Sequence, residues 1–250
     1  MDCRVYRKGL SFWFLAIGFW LLAVQNANCQ QLKANSQEIA SHTQTIRSEN
    51  WRDTLAAINK QIAQSQWSTE LHLRKANANL QLQQWQYAID EYGLVLRHED
   101  RNPAALFYRA YAYTHMRRFD LARNDLNDLL TIVPRHFEGR LSLAVVLQQL
   151  GRKQEALDEL NQTIEQHPDS AVAYVARANL ERQLKQDEAA LYDWQRAEEL
   201  SPRDATYVVS HVDLLLILER REEARRVLDA AVRRGIPRGM LREWFDKCKR

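Results

Sequence analysis

Small residues recur along this chain at a fixed interval of 34. Ala88, Ala122, Ala156, Ala190 and Ala224 form one row, and Ala76, Ala110, Ala144 and Ala178 form another that Val212 completes. Pro134, Pro168 and Pro202 make a third row, preceded by Asp100 and followed loosely by Pro237. A fourth row is large: Tyr92, Leu126, Leu160, Trp194 and Leu228. A period of this length means stacked copies of one supersecondary unit, none of which can bury its apolar face alone. Each copy holds two helical patterns around a short polar turn, as in "THMRRFD" or "QLGRKQE". A small residue where two helices cross lets their axes approach to the near end of the usual range, about 8 Å. A proline lacks the N–H and turns its predecessor away from helix, so the second helix stops there. The 7 glycines and 5 prolines are too few for the turns of an all-β chain.

These rows resemble the tetratricopeptide repeat (TPR) family, whose period is 34. In 103–136, Leu106 holds the fourth place, Ala110 the eighth, Tyr113 the eleventh, Ala122 the twentieth, Leu126 the twenty-fourth and Pro134 the thirty-second. Five units share the register: 69–102, 103–136, 137–170, 171–204 and 205–238. The resemblance implies an all-α fold, a right-handed α-α superhelix or TPR solenoid of five full repeats. Residues 51–68 place Trp51, Leu55, Ile58 and Ile62 on one helical face and match the second helix of a half-repeat whose first helix has decayed. Residues 239–250 carry Met240, Leu241, Trp244 and Phe245 at helical spacing, which predicts a C-terminal capping helix.

The seventh place of each unit departs from the family's usual leucine. It holds Lys75, Arg109, Leu143, Arg177 and His211, while the twenty-third holds Glu91, Asp125, Glu159, Asp193 and Val227. The three strongly basic residues each meet an acid in their own unit. The expected ion pairs are Lys75–Glu91, Arg109–Asp125 and Arg177–Asp193.

The first 29 residues read as an export signal: Arg4, Arg7 and Lys8, then an uncharged apolar run from Leu10 to Val24, then the polar "QNANC". The run is shorter than the roughly 20 residues of a membrane span, and an uncleaved membrane anchor is the alternative. Residues 30–50 read as a polar tether. Both outcomes predict repeats outside the cytoplasm, periplasmic or otherwise extracytoplasmic. Loss of the segment removes Asp2 and three basic residues, so the formal charge falls from +3 to +1. So balanced a body does not attract nucleic acid. The basic cluster from Arg220 to Arg234 is interleaved with Glu222, Glu223 and Asp229, as solvated helix faces are. Cys3, Cys29 and Cys248 are too few and too far apart for a disulfide framework or a zinc site.

No catalytic, cofactor or metal constellation is present in the sequence. The 7 histidines show no metal-ligand spacing, and the glycines form neither a phosphate loop nor a nucleophile elbow. The chain is expected not to be an enzyme. The resemblance implies instead a concave groove lined by the first helix of each unit at the second, fifth, ninth, twelfth and thirteenth places. The groove residues expected to hold a partner are Asn77, Phe107, Tyr111, His115, Asn179 and Arg182. Only Asn77 matches the carboxylate clamp through which some members bind acidic C-terminal tails, so that ligand is not expected. The expected function is an exported scaffold binding a peptide or helix of a protein partner. The alternative is a structural component of an envelope assembly that stacks or dimerises through its terminal repeats. Contact with a membrane is expected only through an uncleaved N-terminal segment.

Overall fold

The computed structural model describes residues 50–249. The export segment and nearly all of the polar tether lie outside the described residues. Helix α1 covers residues 50–64. Five αα-hairpins follow. Hairpin 1 is α2 (Thr69–Gln81) and α3 (Trp85–His98); hairpin 2 is α4 (Pro103–His115) and α5 (Phe119–Ile132). Hairpin 3 is α6 (Phe137–Gln149) and α7 (Lys153–Gln166); hairpin 4 is α8 (Ala171–Gln183) and α9 (Asp187–Leu200). Hairpin 5 is α10 (Ala205–Ile217) and α11 (Arg221–Arg233). A 3-10 turn, Arg238–Leu241, leads into α12 (Arg242–Lys247). No strand occurs among the described residues. The fold is an all-α superhelical repeat.

Local chemistry repeats with the period. Every first helix starts at a side-chain cap: Ser68, Asn102, His136, Ser170 and Asp204 each accept a backbone N–H of the first turn. His136 does so through Nδ1, 3.0 Å from the Gly139 N–H. Every first helix ends in a Schellman turn. In hairpin 1, Gln83 N–H donates to Leu80 O at 2.9 Å and Gln84 N–H to Asn79 O at 2.8 Å. The turn residue has positive φ in all five hairpins, at Gln83, Arg117, Gly151, Lys185 and Glu219. The residue after it opens the second helix, so two helices reverse direction in three residues.

The alanine rows are where the helices cross. Ala76, Ala110, Ala144, Ala178 and Val212 of the first helices are all 0% exposed, as are Ala88, Ala122, Ala156, Ala190 and Ala224 of the second. The large row Tyr92, Leu126, Leu160, Trp194 and Leu228 lies buried beside them. Ile58 of α1, one period before Tyr92, is buried too. Each second helix packs on its own first helix and on the next one. The first helices α2, α4 and α6 also touch one another in succession. First helices that approach each other in this way lie on the inner side of the curve. At the far end Leu241 and Phe245 are buried in the cluster formed by α10 and α11. Trp244 Nε1 donates to Asp213 at 2.8 Å.

All three expected ion pairs form: Lys75–Glu91 at 2.6 Å, Arg109–Asp125 at 2.7 Å and Arg177–Asp193 at 2.7 Å. Hairpins 3 and 5 solve the same problem differently. Where the seventh place is Leu143, Arg140 one turn earlier reaches Glu159 at 2.6 Å. Where the twenty-third place is Val227, His211 turns to Glu198 of hairpin 4 at 2.7 Å, and Arg234 takes the other oxygen at 2.6 Å. Half-buried pairs of this kind constrain helix register more than they add net stability.

Candidate functional site

The inner face is built by places that repeat along the first helices. Asn77 of α2, Tyr111 of α4 and Asn179 of α8 all occupy the ninth place and are half-buried. His115 at the thirteenth is exposed, and Arg182 at the twelfth is half-buried. Asn77, Asn179 and Arg182 have no side-chain hydrogen bond or ion pair among the described residues. Such groups in a half-buried setting are satisfied by water or by a ligand.

Phe107 departs from the expectation. It is only 6% exposed and stacks on His136 at 5.2 Å, the residue that caps the next first helix. The fifth place faces the neighbouring hairpin rather than the groove, and Leu141 is buried there for the same reason. Phe107 therefore holds hairpins 2 and 3 together and is unavailable as an open contact.

Trp85, the first residue of α3, joins the site in its place. Its indole stacks flat on His115 at 4.2 Å, and the Tyr111 ring meets both edge-on, at 4.5 Å from His115 and 6.2 Å from Trp85. Burial lowers the His115 pKa below its ordinary value and raises that of the Tyr111 hydroxyl. The three rings make an aromatic platform between hairpins 1 and 2. One sequence signal pointed to it: Trp51 and Trp85 are one period apart.

The charge of this face is low. Glu70 and Glu138 at second places stand against Arg74 and Arg182, and Asp213 is already engaged by Trp244. The wall offers amides, aromatic rings and isolated charges of both signs. Such groups can exchange hydrogen bonds with a ligand and stack on it; among the described residues no group of His, Cys, Asp and Glu side chains is placed to hold a metal ion.

Comparisons agree with this architecture. A family model described as a tetratricopeptide repeat matches residues 113–180. A DnaJ homolog subfamily C member 7 homolog of Dictyostelium discoideum is 22% identical over 205 residues, covering 62% of this chain. The match spans only 38% of that relative's length. Among solved structures, a MamA double mutant superposes with a TM-score of 0.59 at 19% identity, over 66% of this chain and 93% of that one. YrrB, described as a TPR protein with an unusual peptide-binding site, superposes with a TM-score of 0.56 at 18% identity, over 72% and 92%. At such identity the structures speak for the fold alone. With a 34-residue period, five equivalent hairpins and these likenesses, the chain has the fold of a tetratricopeptide repeat array, and the family's own pattern is matched over residues 113–180.

Proposed function

We propose that the chain is an exported, non-catalytic scaffold that holds a peptide or helix of a partner protein against the inner faces of its first helices. The carrying observation is the set of polar side chains without a partner among the described residues, Asn77, Asn179 and Arg182, beside the Trp85–Tyr111–His115 platform. Amides spaced along a groove bind the backbone of an extended segment, and aromatic rings bury its side chains. The peptide-binding site named for YrrB supports a ligand of this class. Export rests on the residue pattern of 1–29.

A photo-reactive amino acid at Asn77 or Asn179 tests the groove. A discrete cross-linked partner is expected there and not from Tyr192, exposed on α9. Tyr111→Ala is expected to weaken the same cross-link. Equal labelling from Tyr192 would reject the groove. Fractionation of a tagged chain tests export separately, since material confined to the cytoplasm removes that part alone. Stacking through the ends is less well supported, because α12 already covers the outer apolar face of hairpin 5.

A further inference from the structure

Comparing hairpins one period apart reveals a cation position that hairpin 3 leaves unfilled. In hairpin 4 the Arg177 guanidinium lies among three helices. Its Nε and Nη2 donate to Asp193 of α9 at 2.7 and 2.8 Å, and its Nη1 donates to Asn161 of α7 at 2.8 Å. In hairpin 2 Arg109 takes the same place and donates twice to Asp125. Hairpin 3 has both acceptors, Glu159 in the place of Asp193 and Asn127 in that of Asn161, but Leu143 stands where the arginine would. A cleft of about 310 Å³ opens there. Asn124 and Asn127 of α5 form one wall, Glu155 and Glu159 of α7 the other, with Leu143 and Leu147 of α6 as the floor.

Glu159 retains capacity for a second donor. Its Oε2 accepts from Arg140 at 2.6 Å, while its Oε1 and the Asn127 side chain have no donor among the described residues. Hairpin 1 shows that an acid at this place engages two side chains at once. There Glu91 takes His72 on Oε2 at 2.7 Å and Lys75 on Oε1 at 2.6 Å. His72 and Lys75 stand one period multiple from Arg140 and Leu143. Hairpin 3 has filled the first of these two positions and emptied the second.

We propose that this cleft receives an arginine side chain presented by a protein partner, its stem along Leu143 and Leu147 and its guanidinium between Glu159 and Asn127. The rim cations do not compete for these acceptors: Arg152 is held by Glu155 at 2.5 Å, and Arg123 lies 3.5 Å from Asp120. The lining is neutral overall, so planar hydrogen bonding selects the occupant, as it does for Arg109 and Arg177. One such contact is weak alone. It acts as a second anchor for a partner bound elsewhere on the array.

Nα-acetylarginine methylamide, titrated into the full chain while the Leu147 methyl signals are followed by NMR, tests this. Saturable shifts with a dissociation constant on the order of 10 mM are expected. The neutral citrulline analogue should bind roughly tenfold more weakly, as should the arginine probe to Glu159→Gln. Leu143→Arg should fill the cleft from within and abolish the shifts while helicity by circular dichroism is kept. If that variant does not fold, Asn127→Ala supplies the second test, with a similar weakening expected. Equal binding of the citrulline analogue, unchanged binding to Glu159→Gln, or shifts that never saturate overturn the proposal.

Discussion

Glu181 occupies a place where the other hairpins carry Asn79, Tyr113, Leu147 and Leu215. It is 7% exposed, and its Oε2 has no partner among the described residues. Burial, and then the neighbouring Asp193 carboxylate, raise its pKa to about 7, against the pull of Arg177. The folded chain therefore keeps this proton to higher pH than the unfolded chain does. The penalty is absent below the ordinary carboxylate value, grows as pH rises, and is complete above about 7. Glu181→Gln should be more stable than the parent by about 1–3 kcal/mol at pH 8, with the gap closing near pH 4.5. Urea unfolding at the two pH values checks this; a gap independent of pH would contradict it. The positive-φ turns make a second residue-scale case. At Gly151, φ is +75 and nothing would touch an added Cβ, so Gly151→Ala isolates the backbone. It should lose about 1 kcal/mol, and Lys185→Gly at φ 60 should gain somewhat less than that. Midpoints of unfolding that move the other way would refute the argument.

Among the elements, α12 is the least self-sufficient. It has 6 residues, too short to be helical alone, and owes its form to Leu241 and Phe245 beneath it and the Trp244–Asp213 hydrogen bond. Phe245→Ala should release it from hairpin 5. The loss is capped by the docking energy of the segment, about 3 kcal/mol at most. Hydrogen exchange should accelerate in 238–247 and little elsewhere; uniform acceleration would mean that α12 is integral to the array. The elements also show where sequence reading succeeds. The alanine and large rows were legible because a crossing point tolerates few side-chain sizes and recurs with the period. The three ion pairs were legible because both partners recur in one unit. Phe107 was misplaced because the fifth place lies at the edge of the groove-facing set, and its turn toward the neighbouring hairpin shows only in the packing against His136. Arg140 was missed because its donor moved one turn, from the seventh place to the fourth. His211 was missed because its acid lies in the preceding hairpin. Contacts within a unit follow from the period. Substitutions that trade one contact for another across units do not.

At the scale of the whole array, the main helix contacts of each described hairpin are with its neighbours, so stability is close to a sum of hairpin and interface contributions. The interfaces differ in kind. Hairpins 4 and 5 are tied by polar bonds across the boundary: Arg220 to Glu188 at 2.7 Å, with His211 and Arg234 both on Glu198. Arg177 to Asn161 ties hairpin 4 to hairpin 3. Between hairpins 2 and 3 the cleft beside Leu143 opens at the surface, and the boundary is held by Phe107 on His136 and by Leu129. It is 0% exposed, and its Cδ2 lies 2.9 Å from where a Cβ on Gly139 would stand, so the glycine exists to admit it. Leu129→Ala should cost about 2–5 kcal/mol, concentrated at this one boundary. A loss of that size at a middle interface uncouples the two sides of a linear array. Denaturant unfolding should then broaden into two transitions with a lower apparent slope. Hydrogen exchange should open hairpins 1 and 2 before hairpins 3 to 5, because the N-terminal block is shorter and lacks the cross-boundary ion pairs. A mere shift of midpoint at unchanged slope, with exchange rising evenly along the chain, would show that the array unfolds as one unit and that nearest-neighbour coupling is stronger than its contacts suggest.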